Sequence, residues 1–241
     1  MSDLQPDFVI EDNDPSSSDT EDNSYETSDI DFSHPQVVVL IGKPRRGKSN
    51  ALKYFVLKNS VDNQIFKKGL IFTGSKFNNE YDWVSDDYVF EGFQSDVLDV
   101  YLKELEREKE EKGKIEPSFV VFDDLTGILS KFDGKLINFM TRHRHYNISC
   151  FLSTQHLNTG TNTALREVTT QAVMFHSTGT NTLKSLHENF GSSFHHFSEW
   201  KEFFWEHTKE PFTALLYDTI DEEYGEFRAP LMDDVNVKLK Y

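Results

Sequence analysis

The sequence predicts an α/β fold: a phosphate-loop core with a mostly parallel sheet flanked by helices. Three observations carry this. Short runs of apolar and small residues at 36–41, 118–122 and 148–154 alternate with longer helical patterns, as buried strands and their crossover helices do. The octapeptide Gly42-Lys43-Pro44-Arg45-Arg46-Gly47-Lys48-Ser49 fits G-x-x-x-x-G-K-[ST] between the first of these strands and a helix predicted over 50–59. The strand at 118–122 runs into two carboxylates, Asp123 and Asp124.

The residue types of the loop reflect phosphate chemistry. Gly42 and Gly47 allow torsions and close approaches that a Cβ would block, so successive N–H groups can face phosphate oxygens. Lys48 is placed to reach the β and γ phosphates of ATP, and Ser49 to offer its hydroxyl to Mg²⁺. Asn50 begins a helix whose positive end faces the same anion. Pro44 lies inside the loop, while Lys43, Arg45 and Arg46 can contact nucleotide or an adjoining subunit. Opposite such a loop, one carboxylate holds the metal shell and a second orients and activates the attacking water. We assign Asp123 to Mg²⁺ and Asp124 to the water. Asp124 is shorter than the Glu common at that position, and its plainer role is a helix cap. Gln155 comes after the strand at 148–154, where ligands bind in open α/β sheets, and can sense the γ-phosphate or the water; a structural amide is the alternative.

The remaining elements are expected in order. Strands are predicted at 69–73 and 88–90, then a helix over 95–111 whose second half is a solvated run of charges. A helix over 131–145 ends in Thr141-Arg142-His143-Arg144-His145. After the strand at 148–154 come a strand at 171–176, a helix over 181–189, an aromatic helix over 194–207 and a last strand at 211–217. Residues 218–241 are expected to tail off in acidic turns and a short basic end.

Length and charge set the domain plan. A chain of 241 residues accommodates one full core plus a tail. Residues 1–35 hold 11 of the 41 acidic groups and no Lys or Arg, so the net charge of −16 falls to 25 basic against 30 acidic groups, −5, in the body. Segment 1–35 is therefore expected to be a disordered acidic tail, either solubilising or docking a basic partner, 36–220 the phosphate-loop ATPase domain, and 221–241 a C-terminal tail. The single cysteine, Cys150, excludes an internal disulfide, and neither a signal peptide nor a spanning apolar run is evident, so a soluble, reducing compartment is expected. The nine histidines show no convincing zinc-ligand spacing; His143 and His145, interleaved with arginines, read as a basic strip.

The phosphate loop, the strand end Phe122-Asp123-Asp124 and the segment 141–155, Thr-Arg-His-Arg-His-Tyr-Asn-Ile-Ser-Cys-Phe-Leu-Ser-Thr-Gln, together resemble the FtsK/HerA superfamily of DNA-pumping ATPases. Within it, the likeness is to genome-packaging ATPases of poxviruses, giant viruses, virophages and polinton-like elements. The resemblance runs from about residue 37 to 191 and is discriminated by 141–155. The loop is more basic than usual at Arg45-Arg46, and His143 stands where a small residue is expected. The resemblance implies a RecA-like core, ATP hydrolysis at the subunit boundaries of a hexameric or pentameric ring, and double-stranded DNA threaded through the centre. It further implies a capsid or portal-vertex protein as partner, and a place in the host cytoplasm or nucleus where virions assemble, or in the virion. An arginine from a neighbour is expected to complete the transition state; Arg166 is favoured, Arg144 second, with Arg142 also a candidate. Two other functions fit the loop: a nucleotide kinase, and an assembly factor that binds ATP without hydrolysing it.

Overall fold

The computed structural model describes residues 29–78, 80–125, 134–155, 163–232 and 238–239. Its strands are β1 (Val37–Ile41), β2 (Lys68–Thr73), β3 (Val89–Glu91), β4 (Ser118–Asp123), β5 (Ile148–Thr154), β6 (Gln171–Phe175), β7 (Thr213–Asp218) and β8 (Glu223–Arg228). Among the described residues these form one eight-stranded sheet in the order β3-β2-β4-β5-β1-β6-β7-β8. Neighbours from β3 through β6 are parallel, and β7 and β8 are antiparallel additions. Helices α1 (Lys48–Leu57), α2 (Ser95–Lys112), α3 (Gly134–Arg142), α4 (Thr163–Val168), α5 (Thr180–Phe190) and α6 (Phe197–Thr208) cover its faces. The expected α/β class and mostly parallel sheet are what the structure has.

Strand alternation divides the core. Val37, Val39 and Ile41 face a cluster with Leu98, Leu136, Leu186 and Trp200, contributed by α2, α3, α5 and α6. Val38 and Leu40 face the other cluster, where α1 supplies Leu52, Phe55 and Val56. Among the described residues the second face is covered by α1 and by irregular segments that complete it. Ile30 and Phe32 are buried there, with Phe32 packed on Phe55, Phe66 and Phe151. Phe227, Ala229 and Leu239 are buried on the same face.

Both expected tails therefore need correction at their inner ends. Of the segment 1–35, residues 1–28 lie outside the described residues, but Ile30 and Phe32 are core, and burying a Phe side chain is worth about 2 kcal/mol. Residues 223–228, expected as turns, form β8; Phe227 points inward while Glu223, Glu226 and Arg228 are exposed, the pattern of an edge strand with one wet face. Leu239 then pairs beside Val84, with its N–H donating to the Trp83 carbonyl and its own carbonyl accepting from the Ser85 N–H.

Smaller differences have local causes. Helix α1 starts two residues earlier than expected and continues as a π-helical turn at Lys58–Asp62 around the buried Asn59. The helix expected over 131–145 ends at Arg142; a 3-10 turn over His143–Tyr146 and left-handed Asn147 (φ 52°) redirect the chain into β5. Its expected first residues, 131–133, lie outside the described residues. The strand expected from 211 starts at Thr213, because Phe212 has φ 64° and cannot be extended. His143 is buried rather than part of a basic strip: its Nδ1 lies 2.6 Å from the Ile148 carbonyl, and burial holds its pKa below the ordinary imidazole value.

Candidate functional site

The site grows out of strand register. β5 lies between β1 and β4, pairing Ile41 with Thr154 and Asp123 with Ser153. The phosphate loop leaves β1, Gln155 leaves β5 and Asp124 leaves β4, so all three emerge side by side at the carboxyl edge of the sheet. One cavity of about 610 Å³ lies there, lined by Pro44, Arg45, Gly47, Lys48, Ser49, Asn50, Asp123, Asp124, Gln155, Glu80 and Phe212, with Ser153 and Thr154 at its floor. Segments distant in sequence thereby converge on one space, as the sequence motifs require.

The loop is set by its two glycines for different reasons. Gly47 has φ 101°, a torsion that other residues rarely adopt. Gly42 instead clears Phe175 of β6, since a Cβ there would lie 2.7 Å from the Phe175 Cβ. The Gly42 N–H donates to the Thr154 carbonyl at 3.1 Å, tying the loop to β5. Lys48 Nζ donates to the carbonyls of Gly42 (2.6 Å) and Lys43 (3.1 Å), so the ammonium is already drawn over the loop. Burial lowers its pKa, against the attraction of Asp123, Asp124 and Glu80.

The carboxylates are held differently from each other. Asp123 is buried, and Tyr81 Oη donates to its Oδ2 at 2.7 Å. Burial first, and Asp123 beside it second, hold the Tyr81 phenol well above the usual tyrosine range, so it stays a proton donor. Asp124 is exposed, in the left-handed region at φ 48°, with its N–H donating to the Ser153 carbonyl at 3.3 Å. Gln155 Nε2 donates to Asp124 Oδ1 at 3.4 Å, joining the two groups assigned to the water. Gly74 lets this turn close: a Cβ on it would lie 2.6 Å from the Asp124 carbonyl oxygen. The oxygen donors of Ser49 and Asp123 fit a hard cation such as Mg²⁺, with one Asp123 oxygen outside the bond to Tyr81.

Some expected site residues are not brought together. Lys43 and Arg46 are exposed and do not line the cavity; Arg46 lies near His176. Asn50 lines it, but its amide is engaged elsewhere, Nδ2 donating to the Pro230 carbonyl (2.7 Å) and Oδ1 accepting from the Met232 N–H (2.9 Å). Arg144 is exposed in the turn that enters β5, at the end of that strand opposite Gln155. The seven residues of β5 place it on the order of 20 Å from its own cavity. Arg166 is exposed on α4, just before β6 begins, again toward the amino edge of the sheet. Neither arginine lines the cavity of its own chain.

Two residues that line the cavity, Glu80 and Phe212, and one buried behind it, Tyr81, escape a reading of the sequence. Tyr81 and Glu80 sit in a connection after β2 whose composition gives no motif, and only the fold shows Tyr81 meeting Asp123 and Glu80 lining the cavity with Lys48. Phe212 falls inside an expected strand; it is instead 49% exposed, and its ring lies 3.3 Å from where a Cβ on Gly47 would stand. A positive φ on a bulky residue costs on the order of 1–3 kcal/mol.

Sheet order and cavity together define the class: an α/β protein with the phosphate-loop ATPase fold. No protein-family model matches the sequence, and no curated protein matches it. Solved structures do. The genome packaging NTPase B204 of Sulfolobus turreted icosahedral virus 2, in complex with AMPPCP, is 18% identical, with 81% of this chain and 98% of that one covered and a TM-score of 0.59. The pCW3 conjugation coupling protein TcpA, with ATPgS, is 14% identical over 85% of this chain and 63% of that one, TM-score 0.56. The cytoplasmic domain of the Thermomonospora curvata Type VII secretion ATPase EccC is 13% identical over 83% of this chain and 26% of that one, TM-score 0.59. At these identities the likeness is one of fold, and it agrees with the fold that the resemblance to the FtsK/HerA superfamily implies.

Proposed function

We propose that the chain hydrolyses ATP with Mg²⁺ and uses the energy to move double-stranded DNA into a viral capsid. The observation that carries this is the single cavity in which Lys48 and Ser49 face Asp123, Asp124 and Gln155. In this reading Lys48 leaves the loop carbonyls for the β and γ phosphates, and Ser49 and Asp123 hold the metal, with Tyr81 fixing the Asp123 carboxylate. Mg²⁺, when bound, neutralises charge on the phosphate oxygens. Asp124 and Gln155, already hydrogen-bonded to each other, orient the attacking water.

The motor assignment draws on the fold shared with a genome packaging NTPase and a conjugation coupling protein. Phosphate-loop sites gain a large acceleration from an added arginine at the transition state. Arg144 and Arg166 lie too far from their own cavity to supply it and are exposed, so the proposal has one of them enter a neighbour's cavity in a pentameric or hexameric ring. A capsid or portal-vertex protein would dock the ring where virions assemble, in the host cytoplasm or nucleus. ATP turnover with and without linear duplex DNA is the test. Stimulation by duplex supports the motor. Turnover that needs a small phosphate acceptor identifies a kinase instead, and ATP binding without turnover identifies an assembly factor. If Arg166 acts across a boundary, Arg166→Ala subunits regain turnover when mixed with Asp124→Asn subunits; failure to regain it with either arginine variant removes that step.

A further inference from the structure

We propose that the base of the bound nucleotide stacks on the Phe212 ring and is held by its aromatic face and by features that adenine and guanine share, so that the chain accepts purine nucleoside triphosphates with little regard to the base's exocyclic group. The inference rests on the reading of the cavity as a nucleotide site and specifies what that site recognises.

Direction comes from the sheet. Asp124 and Gln155 lie on the β4–β5 side of the phosphate loop and mark the γ-phosphate end. Lys48 and Ser49 hold the middle of the triphosphate. The nucleoside must therefore leave on the opposite side, over Gly47 and toward β6 and β7. Phe212 stands there, immediately before β7, with its ring against Gly47 and on the wall of the same cavity.

Packing does not explain that ring. Phe212 is 49% exposed, whereas Phe175, at the end of the neighbouring strand β6, is 1% exposed. Its backbone is held at φ 64°, a torsion for which Gly is suited and Phe is not. A half-wet aromatic held in a strained turn at a cavity wall is costly to keep for the apo fold alone, and strain of this kind gathers at ligand clamps. A purine laid on the ring would cover its exposed face, and every base has such a face to offer.

The polar groups nearby give the base edge little to be read by. Among the described residues lining the cavity the amides are Gln155, at the γ-phosphate end, and Asn50, whose Nδ2 and Oδ1 are both engaged by the segment at Pro230 and Met232. Arg45 carries donors only and can meet N7, which adenine and guanine share.

Steady-state turnover of ATP and GTP by the full chain tests this, with Phe212→Gly as the main variant. Because Gly suits the torsion, Phe212→Gly should melt no lower than the parent, while KM rises about tenfold for both nucleotides and kcat changes less than about twofold. Phe212→Trp should keep KM within about threefold of the parent. A KM unchanged in Phe212→Gly overturns the stacking role, as does a parent kcat/KM for GTP more than about a hundredfold below that for ATP. A parent that turns over neither nucleotide overturns the ATPase reading itself, which separates the two failures.

Discussion

The two walls of the cavity are built on different principles. On the β4–β5 wall, Asp123, Asp124 and Gln155 are continuous with strand ends whose register is fixed by ladder pairing, and Tyr81 locks one carboxylate in place. On the β7 wall, Phe212 sits in a connecting turn, strained and half exposed, while Asn50 is tied to a segment that comes after β8. Under the proposed function the contrast is a division of labour: groups that must meet a reacting atom within a fraction of an ångström would be carried by the sheet, and groups that grip a flat base by loops.

Substitutions can break or sharpen that division. Lys48 lines the cavity between the two walls, so Lys48→Ala should have the largest effect, a loss of turnover on the order of a thousandfold with nucleotide binding lost in a filter or fluorescence assay. Asp124→Asn should lower kcat about a hundredfold while leaving nucleotide affinity nearly unchanged, with unhydrolysed ATP recovered from the protein. If instead affinity falls and kcat holds, the β4–β5 wall is not the chemical one. Tyr81→Phe keeps the ring and removes the donor to Asp123; the expected result is about a tenfold higher Mg²⁺ requirement at saturating ATP, with kcat recovered at high Mg²⁺. Asn50→Ala should have the smallest effect on turnover, under about threefold, but should lower Tm by about 2–4 °C by leaving the Met232 N–H and Pro230 carbonyl without their amide partner. A large loss of turnover in Asn50→Ala would mean that the amide serves the nucleotide after all.

Legibility in the sequence divides along the same line. The phosphate loop and the β4–β5 wall were legible because their parts are local: a glycine spacing, a strand ending in two aspartates and a glutamine after the next strand each declare themselves within a few residues. The sheet class was legible for the same reason, since strands buried on both faces are continuous apolar runs. Tyr81, Glu80 and Phe212 were not legible, because each matters through a contact across the fold and none stands in a recognisable spacing. Asn50 lines the cavity where its position in the motif puts it, but nothing nearby in sequence shows that Pro230 and Met232 hold its side-chain amide. The two ends of the chain misled through composition. Ile30 and Phe32 stand among acidic and polar residues, and the charges of β8 hide its inward Phe227, yet the face covered by α1 needed just those apolar groups to close.

The rims of the sheet bear on how copies of the chain can join. β3 at one rim is only three residues long, and β8 at the other presents Glu223, Glu226 and Arg228 to water. Neither offers a long neutral ladder for another backbone to zip onto. Copies that met at these two rims would hold one another through side chains, and a union of that kind can be loosened by ionic strength without unravelling any member of it.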